Sequence, residues 1–220
     1  MPEKRKLLLV DDHPIILLAV KSLIESKLPE YCLYSAANRD EALLQASRVK
    51  PALALVDLNL PDGDGLELIR QFKKVAPSCA VLVFSMQCEL LYGPRAIKAG
   101  ASGYVMKGDR VAVLFDAIRQ VESGKVYLSP ALTERMARLW AEPAETGVES
   151  LTNREFEIFQ HLAEGRSAKE VAARMSISTK TVDSHREKMK LKLNCSTVPE
   201  LMLLARDWMA NSRRDRPEAS

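Results

Sequence analysis

Five side chains with functional chemistry follow short apolar runs in the first half of the chain. The first run ends at Asp11 and Asp12, the next at Asp57, and two later runs end at Ser85 and Lys107. A short apolar run bounded by turn residues is typical of a strand buried on both faces of a parallel sheet. Because parallel strands end at the same edge of a sheet, we expect these groups to converge there.

The predicted cluster holds three carboxylates, a hydroxyl and an ammonium. Neighbouring carboxylates repel one another, so the cluster is costly unless a cation joins it. One or two carboxylates together with water form the usual ligand set of Mg²⁺. The Lys107 ammonium could bind a phosphoryl oxygen as a point charge, and the Ser85 hydroxyl could donate a hydrogen bond to one. Without the other residues of the cluster, the position of Asp57 fits a turn residue or a helix cap as well as it fits a functional site.

The surrounding pattern alternates strands with helices over about 125 residues. The predicted strands are 6–10, 31–36, 53–56, 80–84 and 103–106. The predicted helices are 14–27, 39–49, 66–75, 94–100 and 109–123. The fourth helix is placed from Pro94 because proline is best tolerated in a first turn. This alternation predicts a parallel sheet with helices on both faces.

Residues 1–127 resemble a response-regulator receiver domain. The matching residues are Asp11-Asp12, Asp57 with Pro61 and Gly65, Ser85, Ala99-Gly100-Ala101, Gly103-Tyr104 and Lys107. The proline that usually follows the lysine is replaced here by Gly108. The resemblance implies an α/β fold, a doubly wound five-stranded parallel sheet with the flavodoxin-like strand order 2-1-3-4-5.

The resemblance also implies a role for each of these residues. Asp57 accepts a phosphoryl group from a histidine kinase. Mg²⁺ is held by Asp11, Asp12, Asp57 and the backbone carbonyl of Asn59. Lys107 contacts the phosphoryl group, and Ser85 and Tyr104 reorient when it is added.

Three positions are expected to set the lifetime of the acyl phosphate. In the family, the residue after the switch hydroxyl is usually small, but here it is Met86. Methionine is long and flexible, so one hypothesis is that Met86 covers Asp57; the alternative is that it packs against the following helix. The amides of Asn59 and Gln87 are suited to hydrogen-bond the attacking water without acting as bases.

Composition fits a soluble globular protein. Hydrophobic residues make up 47% and charged residues 28% of the 220 residues. The apolar runs are too short for a membrane span, and the start of the chain lacks the apolar core of a signal peptide, so we expect a cytoplasmic protein. Four cysteines without a CxxC pair are expected to be free thiols.

The basic and acidic residues are unevenly distributed. Residues 1–149 have 19 basic and 19 acidic residues, whereas residues 150–220 have 13 basic and 10 acidic residues. An anionic partner is therefore expected at the C-terminal end.

The C-terminal part reads as four short helices. Thr152 with Glu155 and Ser167 with Glu170 form capping boxes, Ser178 precedes a third helix over 179–193, and Ser196 is the predicted cap of the last. The tight turn before the third helix indicates a helix-turn-helix. A short linker helix over 129–139 and a flexible linker over 141–150 are predicted before these helices.

Residues 150–210 resemble the DNA-binding domain of NarL/FixJ-type (LuxR-like) regulators. The matching residues are Leu151-Thr152, Arg154-Glu155, Gly165, Ala172, Ser178, Thr181-Val182, His185-Arg186 and Lys192-Leu193. The resemblance implies a domain over 150–212, a linker over 128–149 and a tail over 213–220. The DNA-binding candidates are Thr179, Lys180, Thr181, Asp183, Ser184, His185, Glu187, Lys188 and Lys192.

These observations together predict a two-component transcription factor that binds double-stranded DNA and forms a homodimer when phosphorylated. A phosphatase would share the carboxylates and Mg²⁺, but the rest of the chain is a basic helical domain instead of a substrate pocket. A second alternative is a receiver that acts through protein contacts alone.

Overall fold

The computed structural model describes residues 4–61, 63–141 and 147–214. The chain forms two compact units, Met1–Ala137 and Arg138–Ser220. The boundary falls inside the predicted linker, between the two predicted domains. The predicted flexible linker and the tail lie largely outside the described residues.

The first unit contains the predicted parallel sheet. Its strands are β1 (Arg5–Val10), β2 (Tyr31–Ala36), β3 (Leu53–Val56), β6 (Ala80–Ser85) and β7 (Gly103–Met106). They pair in parallel in the order β2-β1-β3-β6-β7. Since β6 and β7 are the fourth and fifth strands of this sheet along the chain, the order confirms the predicted 2-1-3-4-5. All four residues of β3 are buried, as expected for a strand covered on both faces.

Five helices cover the sheet. They are α1 (Pro14–Lys27), α2 (Arg39–Val49), α3 (Gly65–Val75), α4 (Glu89–Ala99) and α5 (Val111–Glu122). One core lies where Ile24 of α1 and Leu114 and Ile118 of α5 pack on Leu9 and Leu55 of the sheet. This packing holds the strand ends in register and so fixes the side chains that follow them.

The predicted start of α4 at Pro94 is wrong. The helix begins five residues earlier, at Glu89, and contains Pro94 in its interior. Leu91, Tyr92 and Gly93 are all buried, so tertiary packing of the first turns outweighs the backbone hydrogen bond that proline removes. A Cβ on Gly93 would lie 2.6 Å from the side chain of Leu132, which belongs to a later helix, α6 (Pro130–Ala141). This distance shows how closely α6 approaches the segment.

A short hairpin follows the strand that carries Asp57, and the sequence did not predict it. Its strands are β4 (Asn59–Leu60) and β5 (Gly63–Asp64), paired antiparallel. Gly65 then begins α3, where an added Cβ would lie 2.5 Å from the Cα of Leu58. A glycine is therefore required for the helix to begin so close to the strand end.

The second unit is helical. Helix α6 (Pro130–Ala141) contains the unit boundary, and a 3₁₀ turn (Val148–Ser150), α7 (Asn153–Ala163), α8 (Ala168–Arg174), α9 (Thr179–Leu193) and α10 (Val198–Arg214) follow. Both predicted capping boxes are present, and the Ser178 hydroxyl accepts a hydrogen bond from the Thr181 N–H. The predicted Ser196 cap is wrong by one residue, because the Thr197 hydroxyl accepts from the Glu200 N–H (3.3 Å) while the Glu200 carboxylate accepts from the Ser196 N–H (2.8 Å).

The helices of this unit enclose their own apolar core. Trp208 of α10 packs edge-on against Phe156 and Phe159 of α7, with ring centroids 5.5 and 5.9 Å apart. Val182 and Met189 of α9 are fully buried. These two residues define the face of α9 that packs on the rest of the domain.

Candidate functional site

Asp57 lies directly after β3, at the carboxyl edge of the sheet, and is 3% exposed. Its backbone N–H donates to the carbonyl of Val10 (2.9 Å), which continues the strand pairing into the site. The Lys107 ammonium lies 2.5 Å from Asp57 Oδ2, and the Ser85 hydroxyl donates to Asp57 Oδ1 at 2.6 Å. Three strand ends thus converge on one carboxylate, as the apolar runs predicted.

Lys107 joins two carboxylates. Its ammonium also lies 2.6 Å from Asp11 Oδ2, and its side chain is 4% exposed. Burial by itself would lower the pKa of Lys107, but hydrogen bonds and charge attraction from Asp11 and Asp57 outweigh burial, so the pKa is raised. The ammonium is therefore charged at neutral pH and stabilises both buried carboxylates.

The acidic cluster fits a divalent cation. One ligand atom from each of Asp11, Asp12, His13 and Asp57 can be chosen so that all lie within 4.8 Å of one another. Asp11 Oδ2 and Asp12 Oδ1 are buried, and their nearest partners among the described residues are the Lys107 ammonium (2.6 Å) and the His13 ring (2.7 Å), so three carboxylates share a single lysine. Oxygen atoms in this state are what a hard cation such as Mg²⁺ would satisfy.

His13 was not among the predicted site residues. Its Nδ1 lies 2.7 Å from Asp12 Oδ1 and 3.2 Å from Asp11 Oδ1, and its backbone N–H donates to Asp11 Oδ1. Its position directly after the two aspartates is the sequence signal that would have identified it.

The predicted switch residues form a connected chain of hydrogen bonds. The Tyr104 hydroxyl donates to the carbonyl of Gln87 (3.0 Å), and the Gln87 N–H donates to Ser85 Oγ (3.3 Å). Tyr104 is fully buried, and burial raises its pKa well above the ordinary value. Ser85 and Tyr104 are both fully buried.

The residues predicted to tune hydrolysis lie at the rim. Met86 is 68% exposed, which does not fit the alternative that it packs against the following helix. Asn59 is exposed, and its backbone N–H donates to Asp57 Oδ1 at 3.2 Å. Gln87 is half-buried and takes part in the switch chain through its backbone.

A second candidate surface lies on α9. Most of the predicted DNA contacts form one exposed set: Thr179, Lys180, Thr181, Asp183, Ser184, Glu187 and Lys188. Two acidic members are paired within the helix, Asp183 with Arg186 (3.3 Å) and Glu187 with Lys190 (3.0 Å). His185 is half-buried, and burial lowers its pKa, so it is less suited than the lysines to contact phosphate.

Lys192, a predicted DNA contact, also forms an ion pair inside its own domain. Its ammonium lies 2.7 Å from Glu155 Oε2, and Glu155 is only 3% exposed. Burial by itself would raise the pKa of Glu155, but hydrogen bonds from Lys192 and Thr152 outweigh it and lower the pKa. Lys192 therefore joins α9 to the capping box of α7, and this contact competes with any contact to DNA.

The sequence also left open whether Leu201, Leu204 and Trp208 form a dimer face or pack on their own domain. Leu201 is fully buried and Trp208 packs on α7, so these two belong to the domain core. Leu204 is exposed.

Both halves of the chain match known families. Residues 7–119, just over half of the chain, match the response regulator receiver domain. Residues 149–205 match the luxR family of bacterial regulatory proteins. The chain therefore belongs to the response regulators, and it is a two-component transcriptional regulator with a DNA-binding helix-turn-helix domain.

Relatives of similar length support this assignment. The transcriptional activator protein ExaE of Pseudomonas putida is 35% identical over 203 residues, which span 90% of this chain and 94% of that protein. The response regulator protein VraR of Staphylococcus aureus is 31% identical over 200 residues, or 91% of this chain and 95% of that protein.

Solved structures show the same fold. A LuxR-family response regulator from Aurantimonas sp. SI85-9A1 has a TM-score of 0.58 and 32% identity, over 63% of this chain and 99% of that one. RcsB from Salmonella enterica, bound to promoter rprA with the phosphomimetic BeF₃⁻, has a TM-score of 0.65 and 20% identity, over 92% of this chain and 98% of that one. Within the described residues, no helix is both long enough and apolar enough to cross a membrane.

Proposed function

We propose that Asp57 accepts a phosphoryl group from a histidine kinase and that this modification controls DNA binding. The observation that carries the proposal is the burial of Asp57 against Lys107 and Ser85, beside the acidic cluster. When a Mg²⁺ ion is bound to Asp11, Asp12, Asp57 and the Asn59 carbonyl, it neutralises charge on the phosphoryl oxygens.

The transfer uses the groups already in contact with Asp57. An Asp57 carboxylate oxygen forms the new bond to phosphorus while the bond between phosphorus and the donor breaks. Lys107 and Ser85 then move their hydrogen bonds from the carboxylate to the phosphoryl oxygens, which carry more charge. Hydrolysis returns inorganic phosphate and the free carboxylate, and the chain needs no other substrate.

The phosphoacceptor is tested by substitution. Asp57→Asn should abolish labelling by radioactive acetyl phosphate in Mg²⁺, because an amide cannot form the acyl phosphate. Asp40→Asn removes an exposed carboxylate far from the site in sequence and should label normally. Persistent labelling of the Asp57→Asn protein would show that another residue is the acceptor.

The exposed face of α9 is proposed to enter the major groove of double-stranded DNA. Lysines on this face suit phosphates, whereas a carboxylate is repelled by phosphate but can accept a hydrogen bond from cytosine N4. We therefore assign phosphate contacts to Lys180 and Lys188, and base recognition to Glu187.

Two classes of variant separate these roles. Lys180→Ala or Lys188→Ala should weaken binding to every sequence and flatten its salt dependence, with a loss of about one unit of slope. Glu187→Ala should reduce the ratio of specific to random binding by roughly 1–3 kcal/mol. Fluorescence anisotropy over a salt series measures both.

The control corrects for net charge. Asp207→Ala removes one exposed carboxylate outside α9, so it should change both affinities without changing their ratio. If the three α9 variants change specific and random binding by the same factor, the division of roles is wrong. If none of them changes DNA binding, the alternative of a regulator acting through protein contacts gains support.

Phosphorylation is further proposed to favour a homodimer that places two α9 helices on adjacent half-sites. Size-exclusion chromatography with light scattering, with and without acetyl phosphate, should show a heavier species only in the phosphorylated wild-type protein. A monomer in both conditions would contradict this part of the proposal.

A further inference from the structure

A basic cleft of about 670 Å³ lies at the amino edge of the sheet, the edge opposite Asp57. We use the name basic cleft for the space among the starts of β1, β3 and β6 and the loops before β7 and after α5. Six cationic side chains line it: Lys4, Arg5, Lys6, Lys50, Lys73 and Lys125. Within the part of the chain that the structure describes, Glu122 is its single acidic lining residue.

The charge of the cleft departs from that of the chain around it. Residues 1–149 carry equal numbers of basic and acidic residues. Among the described residues, the cleft nevertheless gathers a surplus of five positive charges from four separate segments. Like charges in one concave site raise the local potential and attract anions.

Contacts within the protein neutralise only part of this charge. Arg5 is paired with Glu122 (2.6 Å), and the Lys73 ammonium donates to the carbonyl of Cys79 (2.7 Å). The ammonium groups of Lys4, Lys50 and Lys125 form no ion pair with any described residue. These three are available to a ligand.

Helix ends explain how the cluster is tolerated but not why it is there. Lys50 caps α2, Lys73 lies in the last turn of α3, and Lys125 follows α5, so all three interact favourably with helix C-termini. No such effect applies to Lys4, Arg5 and Lys6, which lie at the start of a central strand. Basic residues from both groups nevertheless line the same cleft.

We propose that the basic cleft binds a small anion that carries several phosphoryl groups, of the nucleoside polyphosphate class. The volume lies within the range of small-molecule pockets. Lysines recognise phosphoryl oxygens as point charges, and the Ser78 and Ser102 hydroxyls in the lining add hydrogen-bond donors.

The site is tested with the full-length protein and inorganic tripolyphosphate. Isothermal titration in Mg²⁺-free buffer at physiological salt should give one binding event per chain. Lys50→Gln combined with Lys125→Gln should weaken it by about tenfold or more, since two charges facing a polyanion are lost. Both are surface lysines, and melting curves check that the variant is folded.

A matched variant tests whether tripolyphosphate binds in the basic cleft and not on α9. Lys180→Gln combined with Lys188→Gln removes the same charge from α9 and should leave tripolyphosphate affinity within about twofold of the wild type. Glu122→Gln should act in the opposite direction and tighten binding, because it removes the carboxylate of the cleft. Amide resonances of Ser78 and Ser102 should shift on titration.

Three outcomes would overturn the proposal. The first is absence of binding to the wild-type protein. The second is equal affinity of the wild type and the Lys50, Lys125 double variant. The third is loss of random-duplex DNA binding in that variant while tripolyphosphate binding persists, which would make the cleft a nucleic-acid surface.

Discussion

Lys107 is the residue that allows Asp57 to be buried and still carry a charge. An isolated carboxylate at 3% exposure would be strongly destabilised, but the ammonium 2.5 Å away compensates it. Because the pKa of Lys107 is raised above its ordinary 10.5, this contribution is complete below that pH and is lost only as the pH rises through the higher folded-state value. Lys107 therefore keeps its positive charge across the physiological range.

Met86 offers the sharpest prediction for a single residue. Its exposure leaves the side chain free to move over the approach to Asp57, as the gating hypothesis requires. Met86→Ala should speed both phosphorylation by acetyl phosphate and loss of the phosphoryl group by roughly two- to fivefold, less than 1 kcal/mol of barrier. Rates are measured in saturating Mg²⁺.

Two further variants test the specificity of that effect. Met86→Leu keeps most of the side-chain volume and should behave like the wild type. Gln87→Ala should change only the loss of the phosphoryl group, because the contacts of Gln87 to Ser85 and Tyr104 use its backbone and survive the substitution. Wild-type rates in Met86→Ala would leave Met86 without a gating role.

Among the secondary structure elements, α7 and α9 are joined by the Glu155–Lys192 pair. Lys192→Met should destabilise the C-terminal unit by roughly 1–3 kcal/mol, less than for a fully buried pair because Lys192 is 34% exposed. Trp208 reports on this unit through its contacts with Phe156 and Phe159. Fluorescence of Trp208 during unfolding, in a Trp140→Phe background, measures the change.

Acid should remove this difference. The pKa of Glu155 is lowered in the folded protein, so the stability it provides is present above pH 4.5 and is lost as the pH falls through the lower folded-state value. The difference in unfolding free energy between the wild type and Lys192→Met should therefore decrease as the pH falls below 4.5. Lys190→Met breaks the pair with the exposed Glu187 within one helix, should cost about 0.5 kcal/mol or less, and is the control.

At the scale of the whole molecule, each unit has its own apolar core. We therefore expect cation binding to stabilise only the unit that holds Asp11, Asp12 and Asp57. Mg²⁺ at about ten times its Kd should add roughly 1.4 kcal/mol to the unfolding free energy of that unit, a shift of several degrees.

Two probes separate the units in a melting experiment. Far-UV circular dichroism follows the whole chain, and Trp208 in the Trp140→Phe background follows the second unit. Mg²⁺ should raise the receiver transition and leave the Trp208 transition unchanged, and Asp12→Asn should reduce the shift. An equal shift of both transitions would show that the units unfold together.

The sequence alone determined the parallel sheet and the groups at its carboxyl edge, and the resemblance to the receiver family implied its strand order. Buried parallel strands leave a strong signal, because continuous apolar runs end at the residues that form the site. Capping boxes likewise determined where α7 and α8 begin, since both partners are close in sequence.

Only the tertiary structure decided the features that depend on contacts between distant segments. Burial of Leu91 and Tyr92 placed Pro94 inside α4, and the buried Glu155 forms an ion pair with Lys192. Counting charges along the chain pointed to the C-terminal end alone. It missed the basic cleft because Lys4, Lys50 and Lys125 are far apart in sequence and meet only when parallel strands bring their starts to one edge.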